Sequence, residues 1–305
     1  MEVKIKSEPI LFSIVIPTYN REKFIKRTVE SVLAQTYPHF EILIIDNQST
    51  DNTFQIAQQL AKQDSRIKAF QNEKNFERAY SRNRGMQLAT GHFLTFLDSD
   101  DILLSHCLEK AYKFVLKNNN IKFFHGLYEL RKQDGSLVYN YKFPPLDNQH
   151  KAIMKGNFLS CIAVFLHKDI YSTYRFDEHS LLVGSEDYEL WIRIMAKHKL
   201  GRINSVLAHI THHEQQTIAQ QDIEKVLNRS KYIYHKIVSS PELLRVYKPY
   251  LNLFWSHRLL FVSSIAIANK QKTMALKYLA KAIKTNPSVL ASYKTYSILK
   301  RVLSF

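Results

Sequence analysis

Apolar and polar positions fall into short alternating blocks over the first hundred residues. "LFSIVIP" (11–17) is a continuous apolar run of strand length, ended by Pro17. "REKFIKRTVESVLAQTY" sets Phe24, Ile25, Thr28, Val29, Val32 and Leu33 on one helical face, and Pro38 follows its end. "FEILIID" (40–46) reads as a second strand. "STDNTFQIAQQLAKQ" reads as a helix with Ser, Thr and Asp as cap candidates and Ile56, Ala57, Leu60 and Ala61 on its inner face. "RIKAFQN" is a weaker third strand, "ERAYSRNRGMQLA" a helix closed by Gly91, and "HFLTFL" a strand buried on both faces. Strands and helices alternating at this rhythm predict βαβ units and a mixed, mostly parallel sheet covered on both sides, a Rossmann-like α/β fold.

The rhythm changes after residue 101. A helix over about 105–116 leads into "IKFFHGLYEL", then Asp134-Gly135, then "SLVYNYKF", the pattern of an antiparallel hairpin joined to the sheet. "CIAVFL" reads as a further strand, and "SEDYELWIRIMAKH" as a helix capped by Ser185. From about residue 220 the pattern is helical throughout. "ALKYLAKAIKTNP" resembles one helix of a tetratricopeptide-type pair, and a single unit is no repeat array. The expected division is 1–219 for the α/β domain, with a nucleotide half at about 11–101 and an acceptor half at about 102–219, followed by a helical region at 220–305.

Composition narrows the class. Apolar residues make up 45% of 305 and charged residues 23%, ordinary for a globular protein with a sizeable core. Cys107 and Cys161 lack CxxC spacing and histidine partners, which suggests a reducing, cytoplasmic compartment. "MEVKIKSEPI" lacks the apolar core of a signal peptide, and the longest apolar stretch, "LLFVSSIAIA", falls short of the ~20 residues that cross a bilayer. The net charge is +16, of which residues 245–305 contribute +11, with eleven Lys or Arg and no Asp or Glu. Such a tail suits peripheral contact with an anionic inner-membrane face. No helix-turn-helix, RRM or zinc pattern points to nucleic acid.

Candidate chemistry sits where the fourth strand ends, in Asp98-Ser99-Asp100-Asp101. Carboxylates this close repel unless something positive lies among them. In open α/β sheets ligands bind beyond the carboxyl ends of strands, which places this cluster and Asp46 on the same rim. Clustered carboxylate oxygens suit Mg2+ or Mn2+, which in turn bridges a diphosphate.

Three blocks in order, "SIVIPTYNREKFIKRTVESVLAQTYPHFEILIIDNQSTDNT", "SRNRGMQLATGHFLTFLDSDD" and "GSEDYELWIRI", resemble the signatures of family 2 glycosyltransferases with the GT-A fold, over roughly residues 11–215. The resemblance implies a nucleotide-sugar donor, a divalent metal and inversion at the anomeric carbon. Pro17, Thr18, Tyr19 and Asn20 would then line the nucleotide pocket, Asp46 would accept from the ring N–H of uracil, and Arg82, beside Asn83, would reach the donor's pyrophosphate or base. Asp98 would touch the ribose, with Ser99 beside it, and Asp100, or alternatively Asp101, would ligate the metal. Asp187 matches the general base, with Glu186 and Trp191 as acceptor contacts. His209, His212 and His213 follow, and His213 fits best a position near the donor diphosphate, as metal ligand or phosphate contact. Arg78 and Arg84 read instead as a solvated helix face. The sequence departs from the family's "DDGS" at Asn47 and Gln48, where losing the glycine bears on the turn.

The expected activity is metal-assisted, inverting transfer from a UDP-sugar to a hydroxyl of a saccharide or lipid-linked saccharide. Two alternatives remain. A nucleotidyltransferase lacks here the glycine-rich loop it needs after the first strand. A non-catalytic basic binding protein on a degenerate GT-A fold gives the acidic rim no purpose.

Overall fold

The computed structural model describes residues 9–212 and 222–303. They form two compact units, one of residues 9–143, 159–178 and 198–212, the other of 144–158, 179–197 and 222–303.

The first unit is built on a nine-stranded mixed sheet: β1 (Phe12–Thr18), β2 (Phe40–Asp46), β3 (Ile67–Gln71), β4 (Phe93–Phe96), β5 (Ile102–Leu103), β6 (Phe123–Lys132), β7 (Leu137–Asn140), β8 (Val164–His167) and β9 (Leu200–His212). The order is β3-β2-β1-β4-β8-β6-β9-β5, with β7 hairpinned onto β6. β3, β2, β1 and β4 run parallel, as their apolar runs and intervening helices predict. β8 enters antiparallel to β4 and β6, and β9 runs parallel to β6. Ile14 and Ile16 of β1 join a core with Ile25, Val29 and Val32 of the helix Ile25–Leu33. Val15 points to the opposite face and meets the helix Arg78–Leu88 at Gly85, where a Cβ would come within 2.2 Å of its methyl. Both faces of the sheet are therefore covered.

Pro17 lies inside β1 rather than ending it, paired with Ile45. The pairing of β4 with β1 stops at Val15–Phe96, so Pro17 occupies a position where the ladder on that side has already ended and no N–H is needed. The predicted hairpin turn is present, with Gly135 at φ 85° and Asp134 Oδ1 accepting from Ser136 N at 2.8 Å.

The second unit is helical. Gln149–Lys155 and Glu186–Lys197 pack with Ile223–Ser239, Pro241–Tyr247, Leu251–Ala268, Lys272–Thr285 and Tyr293–Leu303. Tyrosine hydroxyls tie them together: Tyr188 donates to Ile153 O and Tyr247 to Ile192 O, each at 2.8 Å. Leu260, Ala266, Leu279, Val289 and Ile298 form a second core. Among the described residues Pro241–Ala268 is long and apolar enough to cross a membrane, a longer run than the sequence reading allowed, because a tight turn at Lys248–Tyr250 joins two helices into one apolar segment. In this unit it serves as a packing helix, with 44% of its most apolar window buried.

Candidate functional site

In the first unit β1, β2 and β4 deliver their following loops to one rim. The loop after β1 is laced to the loop after β2: Asn47 N donates to Thr18 O at 2.8 Å, Asn20 N to Ser49 Oγ at 2.9 Å, and Thr50 N to Asn20 Oδ1 at 2.8 Å. Asn20 adopts φ 51°, a left-handed conformation that asparagine tolerates. Tyr19 is exposed at the rim, while Thr18 is buried. Asp46 is fully buried and spends its carboxylate inside the loop, accepting from Ser49 N and Gln71 Nε2 at 3.0 Å and from Ser49 Oγ at 2.5 Å.

Gln48 keeps the left-handed turn, at φ 62°, without the family's glycine. Asn47 turns inward, its Oδ1 accepting from Asn72 Nδ2 at 2.8 Å and from Phe76 N at 3.1 Å, and its Nδ2 donating to Asn75 and to Phe76 O. Arg84 braces the same region by donating to Gln71 O and Asn72 Oδ1, so it is no solvated face. Asn83 is likewise structural, clasping Phe176 N and O and Glu178.

The positive groups that the chain itself sets among the rim carboxylates are arginines. Arg82, 2% exposed, donates to Asp98 Oδ1 at 2.8 Å, and Arg78 Nη1 lies 4.0 Å from the other oxygen, so Arg78 too borders the acid cluster. Arg21 Nε donates to Asp100 Oδ2 at 3.1 Å, and Arg27 reaches Asp100 O and Thr211 Oγ1. Burial alone would push the Asp98 carboxyl up, but the charges of Arg82, Arg78 and Arg21 outweigh it and hold it below the usual range. Ser99 is buried, and its carbonyl accepts from Thr28 Oγ1. Asp101 is turned inward, accepting from Thr211 N at 2.9 Å. Burial and the neighbouring charges of Asp100 and Asp98 push its carboxyl well up.

A hard divalent cation fits this donor set through Asp98 and Asp100, whose side chains are 27% and 17% exposed. Asp101, facing β9, is poorly placed to join them. Among the described residues no three His, Cys, Asp or Glu gather as a metal cage, so a cation here would complete its shell with phosphate and water oxygens. Arg21, visible in "YNREKF" right after β1, was passed over in sequence because its partner lies 79 residues away.

In the second unit Asp187 stands in the first turn of the helix Glu186–Lys197, half-buried. Asn157 Nδ2 donates to its Oδ2 at 3.0 Å, and Tyr188 N donates to its Oδ1 at 2.7 Å. Arg229 lies beside this turn, donating to Ser185 Oγ at 3.1 Å; burial draws its guanidinium down, and the charges of Glu186 and Asp187 push it back up. Ser185 spends its hydroxyl on Gly184 O instead of capping the helix. Glu186 is buried at 5% exposure. Trp191, the other candidate acceptor contact, is fully buried, its position on the helix facing the core of the unit. Asn157 and Arg229 come from distant segments and carry no local sequence signal.

Of the three histidines, His209 sits on β9 with Nε2 3.8 Å from Glu129, and burial draws its imidazole down. His212 ends β9, exposed. His213 lies outside the described residues.

Comparison with known proteins places this arrangement. The family model for glycosyl transferase family 2 matches residues 13–172. The chain is 34% identical over 238 residues, 78% of its length and 90% of the relative's, to the Escherichia coli UDP-Glc:alpha-D-GlcNAc-diphosphoundecaprenol beta-1,3-glucosyltransferase WfgD. It is 35% identical over 159 residues to the putative teichuronic acid biosynthesis glycosyltransferase TuaG of Bacillus subtilis, covering 52% of this chain and 63% of that one. The fold matches S. aureus TarS 1-349 in complex with UDP-GlcNAc, at TM-score 0.64 and 18% identity over 92% of each chain. It also matches the Pyrobaculum calidifontis mannosyltransferase PcManGT in complex with GDP-Man and Mn2+, at TM-score 0.59 and 15% identity over 96% of this chain and 79% of that one. With its GT-A sheet, its acidic strand-end rim and a matching family model across more than half its length, the chain belongs to glycosyl transferase family 2.

Proposed function

We propose that this glycosyltransferase moves a sugar from a UDP-sugar to a hydroxyl of a saccharide carried on a lipid-linked acceptor, with inversion and with Asp187 as general base. The observation that carries the reading is the setting of Asp187. Its carboxylate is at a helix N-terminus, where the backbone dipole favours the ionised form, and Asn157 fixes its orientation. The acceptor oxygen attacks the anomeric carbon as Asp187 takes its proton; the bond from that carbon to the diphosphate oxygen breaks, and UDP leaves with the electron pair. Arg82 and Arg21 hold Asp98 and Asp100 in place at the rim, where the ribose and diphosphate bind on this reading. A divalent cation bound by Asp98 and Asp100 would neutralise the leaving diphosphate.

The donor class is supported by the names of the E. coli relative and of the TarS complex. Residues 1–219 carry the chemistry on this reading. The basic region 220–305 lies peripherally on the cytoplasmic membrane face: Tyr293 and Tyr296 stand exposed among its Lys and Arg, with Leu290 and Leu299, the amphipathic composition of a membrane interface.

The test is release of UDP from a panel of UDP- and GDP-sugars, with Mn2+ and then with EDTA, with the product's anomeric configuration read by NMR. Acceptor-dependent UDP release with inversion supports the reading. A retained configuration, or a preference for GDP-sugars, sinks it.

A further inference from the structure

A group of cations in the second unit has no role in the chemistry above. Arg258, in the middle of the helix Leu251–Ala268, lies among three aromatic rings: its guanidinium carbon is 5.2 Å from the centroid of Tyr188, 5.7 Å from Phe254 and 6.0 Å from Phe261. Rings, rather than a carboxylate, hold this charge. Its Nη2 donates to Lys155 O at 3.4 Å, and its Nε is buried with no hydrogen-bond partner among the described residues. Gly156 leaves space for it: a Cβ there would stand 3.0 Å from Nη2, and φ 156° disfavours any side chain.

Lys294, from the helix Tyr293–Leu303, brings its Nζ to 5.5 Å from the other contact of this cluster, the Phe261 ring. It keeps access to solvent along its side chain, yet protein surrounds it closely enough that burial, followed by the charge of Arg258, draws its ammonium down to about 8. His257 is drawn down to about 4 by burial and then by the charges of Lys294, Arg258 and Lys155. Two basic side chains, Arg258 and Lys294, thus meet at the Phe261 ring, and neither forms an ion pair with a carboxylate of the described residues.

The short segment 155–157 joins this place to the base. Lys155 O and Gly156 border Arg258, and Asn157 holds Asp187. Tyr188, next to Asp187, forms one wall of the Arg258 cage. We propose that Arg258 and Lys294 form an anion subsite for a phosphate or diphosphate on the acceptor, setting the acceptor's hydroxyl against Asp187. A planar guanidinium fork with an ammonium beside it matches the several oxygens and the double charge of a phosphate better than a single carboxylate. The assignment to the acceptor rests on Asp187 being the base; binding of the anion itself does not.

The test titrates inorganic pyrophosphate into the full chain saturated with UDP, so that the donor rim is filled. Wild type is expected to bind it. Lys294→Gln, a solvent-accessible change with little packing to lose, and Arg258→Lys, which keeps the charge and loses the fork, should each weaken it by about tenfold while UDP affinity stays unchanged. In turnover, Lys294→Gln should raise KM for a saccharide diphosphate and leave KM for the same saccharide without phosphate unaltered. Absent pyrophosphate binding, or equal binding by the variants, overturns the subsite. Displacement of pyrophosphate by phosphatidylglycerol vesicles, dependent on Lys294 and without a KM effect, would give the site to a lipid headgroup and overturn the acceptor assignment. Failure of UDP to bind at all would strike the donor reading and leave the pyrophosphate result to stand by itself.

Discussion

Arg82 and Asp98 meet at 2.8 Å, the arginine almost wholly buried and the aspartate partly open to solvent. The pair fixes the first acid of the rim in its ionised form, with Arg78 4.0 Å from its remaining oxygen. Removing the arginine leaves a carboxylate stripped of its principal partner. Arg82→Ala is expected to lower stability by roughly 3 kcal/mol in urea unfolding. The same change made with Asp98→Asn should cost clearly less, because the uncompensated charge is gone. Equal costs in the two backgrounds would show that Arg82 acts through its packing on Phe176, 5.5 Å away, instead.

Gln48 holds a left-handed turn at φ 62° where the family's glycine is missing. That conformation costs a non-glycine residue about 1 kcal/mol, and glycine's freedom in the unfolded chain offsets part of it. Gln48→Gly should therefore be neutral or stabilising by up to ~1 kcal/mol, read from the thermal midpoint. A destabilised variant would mean that the glutamine side chain supports the loop.

Glu41 is buried at the centre of a polar knot, accepting from Ser13 Oγ, Thr90 N and Thr90 Oγ1 at 2.7 Å and from Lys68 Nζ at 3.0 Å. Burial pushes its carboxyl up, but the bonds from Thr90, Ser13 and Lys68 together hold it below the usual range. A carboxyl lowered on folding contributes stability above its unfolded pKa of ~4.3 and loses it as pH falls through the folded value. The stability gap between wild type and Glu41→Gln should thus be constant from pH 7 to about 5 and shrink below about 4. A gap that widens on acidification would contradict the assignment.

Much of this was legible in sequence, for reasons that can be named. β1, β2 and β4 were readable because strands buried on both faces need unbroken apolar runs, and the rim acids because a charge cluster ending such a run has no packing purpose. The partners of those acids were hidden. Arg21 and Arg82 find their carboxylates 79 and 16 residues away, as Asn157 finds Asp187 of the second unit 30 residues away, and only the folded topology closes those distances. Asp46 and Trp191 show the converse: both carried family signatures, yet Asp46 is turned into its own loop and Trp191 into the core, orientations that residue type does not reveal.

Trp191 gives that lesson a direct test. Its full burial predicts that Trp191→Phe costs about 1–3 kcal/mol of stability, through lost packing, with the acceptor KM unchanged. A raised KM at unaltered stability would restore it to the acceptor site.

The central claim is that Asp187 takes the acceptor's proton. The most direct measurement compares wild type and Asp187→Asn for single-turnover sugar transfer and, by calorimetry, for UDP-sugar affinity. Asparagine preserves the size, and its carbonyl oxygen can still accept from the Tyr188 N–H although its amide nitrogen cannot accept from Asn157, so the local fold should hold at the cost of one hydrogen bond. Transfer should fall by roughly 10²–10⁴-fold while donor affinity stays within about twofold. Transfer within about tenfold of wild type, or donor affinity lost in step with the rate, would contradict the account.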